Sequence, residues 1–428
     1  MTAPAHAPRG VGARFLRNPV LWTIVGLLVL ALLALVAAGT DRVITTRSRD
    51  AARQQRLAPF YVPPSGWRAA APGTLLRSEP LGASIPGGRT WRVLYRSERG
   101  DGSPTVSSGM VIAPTAGTPP VSGRPVVAWA HGTVGLGDAC APSRSAKPLG
   151  QLAWAEGMLR AGFVVTATDY SGLGTPGTER YLIGVDEARD VINSVRAARA
   201  IPETAAGTQV AVYGHSQGGH SALWTGSVAP TYAPELRIVG IAAGAPAAEL
   251  AALVSLQDRS AIAWVIGPEV VAAWPLDDPT LSPRAIVSPA GLRFGTGIGR
   301  RCVLEGALEG IVLQRFGKRY FLGDPSRNAT WAAAFDAQTP PPLPPSVPVL
   351  VAQGLDDTVV LPPTTALLER RWCAAGSRLT MAWLGDLGHL ATGLTAGPLA
   401  STWFQQRFAG VEAGSTCGTV NQIGRAHV

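Results

Sequence analysis

Ser216 is the residue around which chemistry can be built, because it stands in Gly214-His215-Ser216-Gln217-Gly218 between an apolar run and an alanine-containing one. A G-x-S-x-G turn carries small residues two places either side of the serine so that the chain can bend sharply and hold the hydroxyl above a sheet edge. The alternation of Val210 and Val212 before it predicts a strand. The run Ser221-Ala222-Leu223-Trp224 after it predicts a helix, which is the strand–turn–helix setting that such a nucleophile needs. The expectation is a serine hydrolase.

A serine hydroxyl is a weak nucleophile and needs a base, and the base needs a carboxylate to fix its tautomer. Where the serine sits on such an elbow, the partners follow in the order acid, then histidine. Of six histidines, His6 precedes an apolar terminal segment, His427 lies in the last residues, and His131 precedes the serine. His215 adjoins Ser216 with a side chain expected to diverge from the hydroxyl, and His220 comes too early in the following helix. His389 remains, in the loop Gly385-Asp386-Leu387-Gly388 after the last predicted strand. The acid is expected in Gly354-Leu355-Asp356-Asp357-Thr358-Val359. Adjacent aspartates on an extended turn point apart, so one of them reaches the base; Asp357 is chosen and Asp356 is the alternative. The tetrahedral intermediate calls for backbone donors: the N–H of Gln217, and one from the loop His131-Gly132-Thr133, with Gly132 and Thr133 as candidates and His131 bracing the turn.

These residues must be held by a mostly parallel sheet with helices on both faces, because strands and helical segments alternate. A hairpin is predicted over Arg89–Pro114, strands over Val126–Ala130, Phe163–Thr168 and Arg237–Ala242, and a helix over Asp186–Ala200. Between Ala247 and Pro345 the alternation fails and helical apolar pieces such as Ala261–Trp274 take over, which reads as an inserted helical cap or lid. Strands resume at Val347–Ala352 and Leu379–Leu384. The expected organisation is a basic segment 1–18, a membrane-spanning signal-anchor 19–39, a linker 40–73, a core in two parts 74–246 and 346–422, and the cap 247–345 between them. Residues 423–428, IGRAHV, match a translated sequencing adapter, which would leave the natural C-terminus missing.

Composition narrows the classes further. Apolar residues make up 46% and charged residues 15% of the 428, which excludes a disordered chain. The net charge of +9 is almost wholly arginine, since Lys147 and Lys318 are the only lysines. No basic run interleaved with aromatics points to nucleic acid. Cys140, Cys302, Cys373 and Cys417 are too scattered for a metal site, so none is expected; an even count beside an export signal suggests two disulfides, with three pairings open. The stretch Val20–Gly39 is uncharged and apolar, long enough at about 1.5 Å per residue to cross the hydrocarbon layer. Val36-Ala37-Ala38 also resembles a cleavage site, which would release the protein. The arginines from Arg42 to Arg56 argue for a cytoplasmic body. Long domains translocate regardless of such charge, and the cysteines favour an oxidising side. The expectation is a catalytic domain outside the cytoplasm, anchored in the cell envelope, or secreted if the segment is cleaved.

Taken together, YRSERGDGSPTVSSGMVIAP, WAHGTVGLGDAC, DYSGLGTPG, YGHSQGGHSALW, QGLDDTVVLPP and GDLGH resemble the secretory lipase family, the lipase A-type branch of the α/β-hydrolases, over about residues 61–408. The resemblance implies an α/β-hydrolase fold with a helical cap, hydrolysis of lipid or small acyl esters, and no cofactor. Carried over by position, it makes Ser216 the nucleophile, Asp357 the acid, His389 the base, and Gln217 with the Gly132–Thr133 region the oxyanion hole. Within it Cys140, just past the oxyanion loop, is paired by conjecture with Cys302 of the cap, which leaves Cys373 with Cys417. Many relatives carry a cleavable signal, and the apolar segment here departs from that pattern. No obligate protein partner is evident, the membrane being met through the N-terminal helix. The rivals are an acyltransferase or peptidase using the same triad, and a membrane-anchored binding protein on an inactive hydrolase scaffold.

Overall fold

The computed structural model describes residues 45–418, which fall into two units divided after Ala58. The apolar segment expected to span a membrane and the last six residues lie outside the described residues. Among the described residues no helix is long and apolar enough to cross a membrane. In the first unit residues 45–57, expected as linker, are helical, with Arg53 paired to Asp50 one turn back. Arg, Gln and Ala are good helix formers, which accounts for the helix within this stretch.

The second unit is built on one nine-stranded sheet. Its strands are β1 (Leu75–Pro80), β2 (Gly88–Glu98), β3 (Pro104–Pro114), β4 (Arg124–Ala130), β5 (Val164–Thr168), β6 (Ala206–His215), β7 (Arg237–Gly244), β8 (Val349–Gly354) and β9 (Leu379–Leu384). The order across the sheet is β1-β2-β3-β5-β4-β6-β7-β8-β9. The pairs from β1 to β5 are antiparallel, and the pairs from β5 through β4 to β9 are parallel. The strand order reverses between β4 and β5, so β4 and β6 lie side by side at the sheet centre. Their carboxyl ends carry the His131 loop and Ser216. Ligand sites of open parallel sheets form at such ends.

Helices cover both faces. On one lie α2 (Gly184–Arg199), α3 (Gln217–Tyr232) and α9 (Pro362–Ala374); on the other lie α1 (Ala155–Arg160) and α10 (His389–Phe408). The parallel strands are buried on both sides, as β4 and β8 show in their unbroken apolar runs VVAWA and VLVA, and β5 in its fully buried VVTAT. Trp372 of α9 and Phe404 of α10 are fully buried against opposite faces. Each such side chain is worth about 1.5–3 kcal/mol of burial.

Between β7 and β8 the chain forms α4 (Leu250–Gln257), α5 (Ile262–Ala273), α6 (Pro289–Gly299), α7 (Val303–Arg315) and α8 (Ala329–Ala337), with one isolated bridge between Val287 and Phe321. They share their own core, centred on Trp264, Trp274, Tyr320 and Trp331. Disulfides join Cys140 to Cys302 and Cys373 to Cys417. The first ties the loop after β4 to the start of α7, where Leu136 N–H donates to Gly299 O and Val303 N–H to Val134 O, each at 2.8 Å. Gly135 and Gly137 allow this close passage: a Cβ on either would fall 2.0 and 2.3 Å from the carbonyl oxygens of Arg301 and Arg300.

Candidate active site

The site begins where β6 ends. Ser216 has φ 60 and ψ −121, a strained conformation for a residue with a side chain, costing on the order of 1–3 kcal/mol. Tight packing of the turn enforces it. A Cβ on Gly214 would lie 1.9 Å from Gly218 O, and one on Gly218 would lie 1.9 Å from Ala130 O. The Ser216 N–H donates to Gly244 O at 2.9 Å, and its carbonyl accepts from His220 N–H at 3.1 Å and Ala247 N–H at 3.2 Å. With its backbone pinned, the side chain is left half-buried at the head of α3.

His389 opens α10, and its Nδ1 lies 2.8 Å from Asp357 Oδ2. Asp357 is buried, and its other oxygen accepts the N–H groups of Val359 at 2.8 Å and Val360 at 2.9 Å. Gln353 Nε2 donates to Oδ2 at 3.3 Å. Asp356 is exposed and turned away, as two neighbours on an extended turn must diverge. The acid loop and the histidine loop are laced together by Leu355 N–H to Leu384 O at 2.9 Å and Asp356 N–H to Leu387 O at 3.2 Å. Gly354 permits the approach, since a Cβ there would meet Leu387 O at 2.1 Å.

The loop after β4 passes over the serine. A Cβ on Gly132 would stand 3.4 Å from Ser216 Cβ and 3.1 Å from His215 O. His131 is buried, its ring spanning Gly132 O at 2.7 Å and Asp169 O at 3.2 Å. Thr133 is held by a hydroxyl–hydroxyl bond of 2.8 Å to Tyr181. Gln217 is the first residue of α3, where backbone N–H groups have no intrahelical acceptor and the helix dipole favours negative charge. The structure therefore gathers Ser216, Gln217, Gly132 and Thr133 at one end of β4 and β6, with the Asp357–His389 pair at the ends of β8 and β9.

Two features escaped the sequence. The His215 ring, expected simply to diverge, packs on the His389 ring with centroids 4.6 Å apart, and its Nε2 lies 3.0 Å from His389 O. Burial and the neighbouring His389 push its pKa down to about 4, so above that pH its neutral Nε2–H donates to the carbonyl. Gly393 makes room for the ring: a Cβ there would sit 2.9 Å from it. The second is a buried carboxyl cluster under the elbow, Glu179 and Glu187, both held by the Gln217 side chain. Glu187, in the first turn of α2, reads as a dipole partner and Glu179 as a loop acid, and nothing in sequence spacing points either at residue 217.

An apolar cavity opens onto Ser216, walled by Tyr181, Leu250, Ile266, Val270, Phe335 and Val360. Its lining comes from the body and from α4, α5 and α8.

The sheet order and the serine-bearing turn define an α/β-hydrolase fold. A family model of secretory lipases matches residues 151–416. Lipase 5 of Candida albicans is 26% identical over 405 residues, covering 85% of this chain and 83% of its own. A probable inactive lipase of Mycobacterium tuberculosis is 30% identical over 210 residues, 45% of this chain and 46% of its own. Among solved structures, Candida antarctica lipase A shares the fold with a TM-score of 0.67 at 20% identity, covering 84% of this chain and 88% of that one. The chain belongs to the secretory lipase family, and so to the carboxylic ester hydrolases.

Proposed function

We propose that this protein hydrolyses acyl esters of lipids through a covalent acyl-serine intermediate, with Ser216 as nucleophile, His389 as base and Asp357 as its orienting acid. The observation that carries this reading is the 2.8 Å contact from His389 Nδ1 to the buried, triply hydrogen-bonded Asp357, beside a serine on a strained elbow. With Nδ1–H committed to Asp357, the free Nε2 takes the proton of Ser216 as it attacks the ester carbonyl. The developing oxyanion is met by Gln217 N–H and a donor from Gly132–Thr133. His389 then protonates the departing alcohol, and water activated by the same nitrogen frees the acid. No step calls for a metal or organic cofactor.

The cavity above Ser216 would take the acyl chain, with α5 as one wall of a cap that extends over residues 247–345. A lipid-facing habit is supported by α7, whose Leu304, Leu308, Ile311 and Val312 are exposed along one side and are followed by exposed Phe316, Lys318 and Arg319. The apolar stretch 20–39 is assigned to a membrane anchor with the catalytic unit outside the cytoplasm, or to a cleaved export signal. The inactive-scaffold alternative, which the Mycobacterium relative brings forward, is disfavoured by the serine, histidine and aspartate all being present. The test is hydrolysis of p-nitrophenyl esters of increasing acyl length by the wild type and Ser216→Ala. The alanine variant should lose on the order of 10⁶ in kcat. Equal rates for the two folded proteins on every ester would remove the proposal.

A further inference from the structure

The first turn of α3 is gripped from beneath by two carboxyls of unlike surroundings. Glu187 of α2 is fully supplied with donors: Oε1 accepts Gln217 Nε2–H and Leu182 N–H, each at 2.8 Å. Its Oε2 accepts the Ser221 hydroxyl at 2.6 Å and lies 3.3 Å from His220 Nδ1. Glu179, on the segment between β5 and α2, is 1% exposed and accepts one bond, from Gln217 Nε2 to its Oε1 at 2.7 Å.

Gln217 spends its amide hydrogens on these two acids, while its own Oε1 is buried with no donor. A buried amide oxygen left unpaired is costly, and natural interiors rarely tolerate one. A proton on Glu179, whose Oε1 already pairs with this amide, would supply the donor. We propose that Glu179 is a neutral carboxylic acid in the working enzyme. Its hydroxyl donates to Gln217 Oε1 while its Oε1 accepts from Gln217 Nε2, and this acid–amide ring positions the backbone N–H of Gln217 toward the oxyanion. The inference rests on the reading of that N–H as an oxyanion donor.

The electrostatics agree with the geometry. Burial, and then the negative charge of Glu187, push the Glu179 pKa well above the ordinary range, with Asp190 and Asp169 adding to the rise. From the cap side Glu269 of α5, itself buried and raised chiefly by burial and then by Glu179, faces the same cluster. Tyr170 and Tyr181 are held neutral by burial and these carboxyls, and His220 of α3 is turned to Glu187 and to Gln338 O at 2.7 Å. Ionising Glu179 would remove the hydroxyl donor, set a carboxylate against an amide oxygen and add a negative charge beside Glu187. The Gln217 side chain, and with it the start of α3, would lose its fixed position as pH rises. Glu179 touches no reacting atom; it is a positioning residue.

The full-length protein tests this with a soluble p-nitrophenyl ester across neutral to alkaline pH, read at the wavelength where phenol and phenolate absorb equally. Glu179→Leu should lower kcat by about 10², the cost of one misplaced oxyanion donor, with KM changed less than about threefold. Glu179→Gln, which can donate and accept in the same ring, should restore most of kcat and flatten the alkaline decline expected of the wild type. Infrared difference spectra of the wild type at neutral pH should carry a protonated-carboxyl carbonyl band that Glu179→Gln lacks. A wild-type spectrum without that band, or an alkaline decline unchanged in Glu179→Gln, overturns the proposal. Failure of the hydrolase reading itself would show differently, as a wild type no faster than Ser216→Ala, with the infrared band still deciding the state of Glu179.

Discussion

Replacing Asp357 by Asn separates the role of its charge and tautomer control from its shape. Oδ1 of Asp357 is claimed by two backbone donors, Val359 N–H and Val360 N–H at 2.8 and 2.9 Å. An asparagine amide must therefore keep its oxygen there and turn its NH2 toward His389 and Gln353. An N–H facing Nδ1 forces the imidazole to carry its proton on Nε2, where the serine needs a base. The same inversion in a serine triad costs about 10⁴ in kcat, which corresponds to about 5 kcal/mol of transition-state stabilisation. The added donor also meets Gln353 Nε2, which now stands 3.3 Å from Oδ2, so a small loss of stability accompanies the loss of rate. Steady-state hydrolysis of a short p-nitrophenyl ester, beside thermal unfolding by circular dichroism, measures both. Asp356→Asn should stay within about threefold of wild type, because that side chain is exposed. An Asp357→Asn variant retaining more than about a tenth of wild-type kcat would refute the tautomer argument.

Gly393→Ala should lower kcat by about tenfold or more with little change in unfolding temperature, because its Cβ would press the His215 ring, 2.9 Å away, against the His389 ring packed on it. Cys140→Ser with Cys302→Ser should destabilise the unit by up to about 5 kcal/mol on the loop-entropy estimate for a closure of 162 residues, seen under non-reducing conditions as a denaturant midpoint below that of the wild type, with reducing agent then removing only the share of Cys373–Cys417. Burial raises the Asp190 pKa from 3.8 to about 7; the folded state then holds a proton that the unfolded state has released. The stabilisation is full below pH 3.8 and is lost as pH climbs to about 7, amounting to a few kcal/mol, roughly 1.4 per pH unit. Asp190→Asn, whose amide oxygen can still accept from Ser171 N–H, should flatten that fall in a series of unfolding curves, and an unchanged slope would count against the shift.

The parallel strands were legible because burial on both faces leaves unbroken apolar runs, as in VVAWA and VLVA, which end where sheet register also ends them. Chain order pointed to Ser216 and His389, and the spacing from Gly354 to Val359 favoured Asp357 over Asp356; the structure sets Asp357 against His389 and leaves Asp356 exposed. β1, with its mixed LLRSEP pattern at the sheet edge, carried no alternation to find, and the short α1 left too few turns for a helical period. In the Glu179–Gln217–Glu187 cluster the two acids lie 38 and 30 residues from Gln217 along the chain. Such a network is a product of packing, and no spacing in the sequence ties its residues together. The His215–His389 contact is hidden for the same reason, being set by a glycine four residues beyond the second ring.

The most direct measurement is covalent trapping of the nucleophile. A p-nitrophenyl alkylphosphonate should release one equivalent of p-nitrophenol, and tryptic mass spectrometry should place a single phosphonyl adduct on Ser216. The adduct should be absent from Ser216→Ala and form about 10³-fold or more slowly in His389→Ala, where the hydroxyl has lost its base. A folded wild type that remains unlabelled, or an adduct on another residue that survives in Ser216→Ala, would contradict the account.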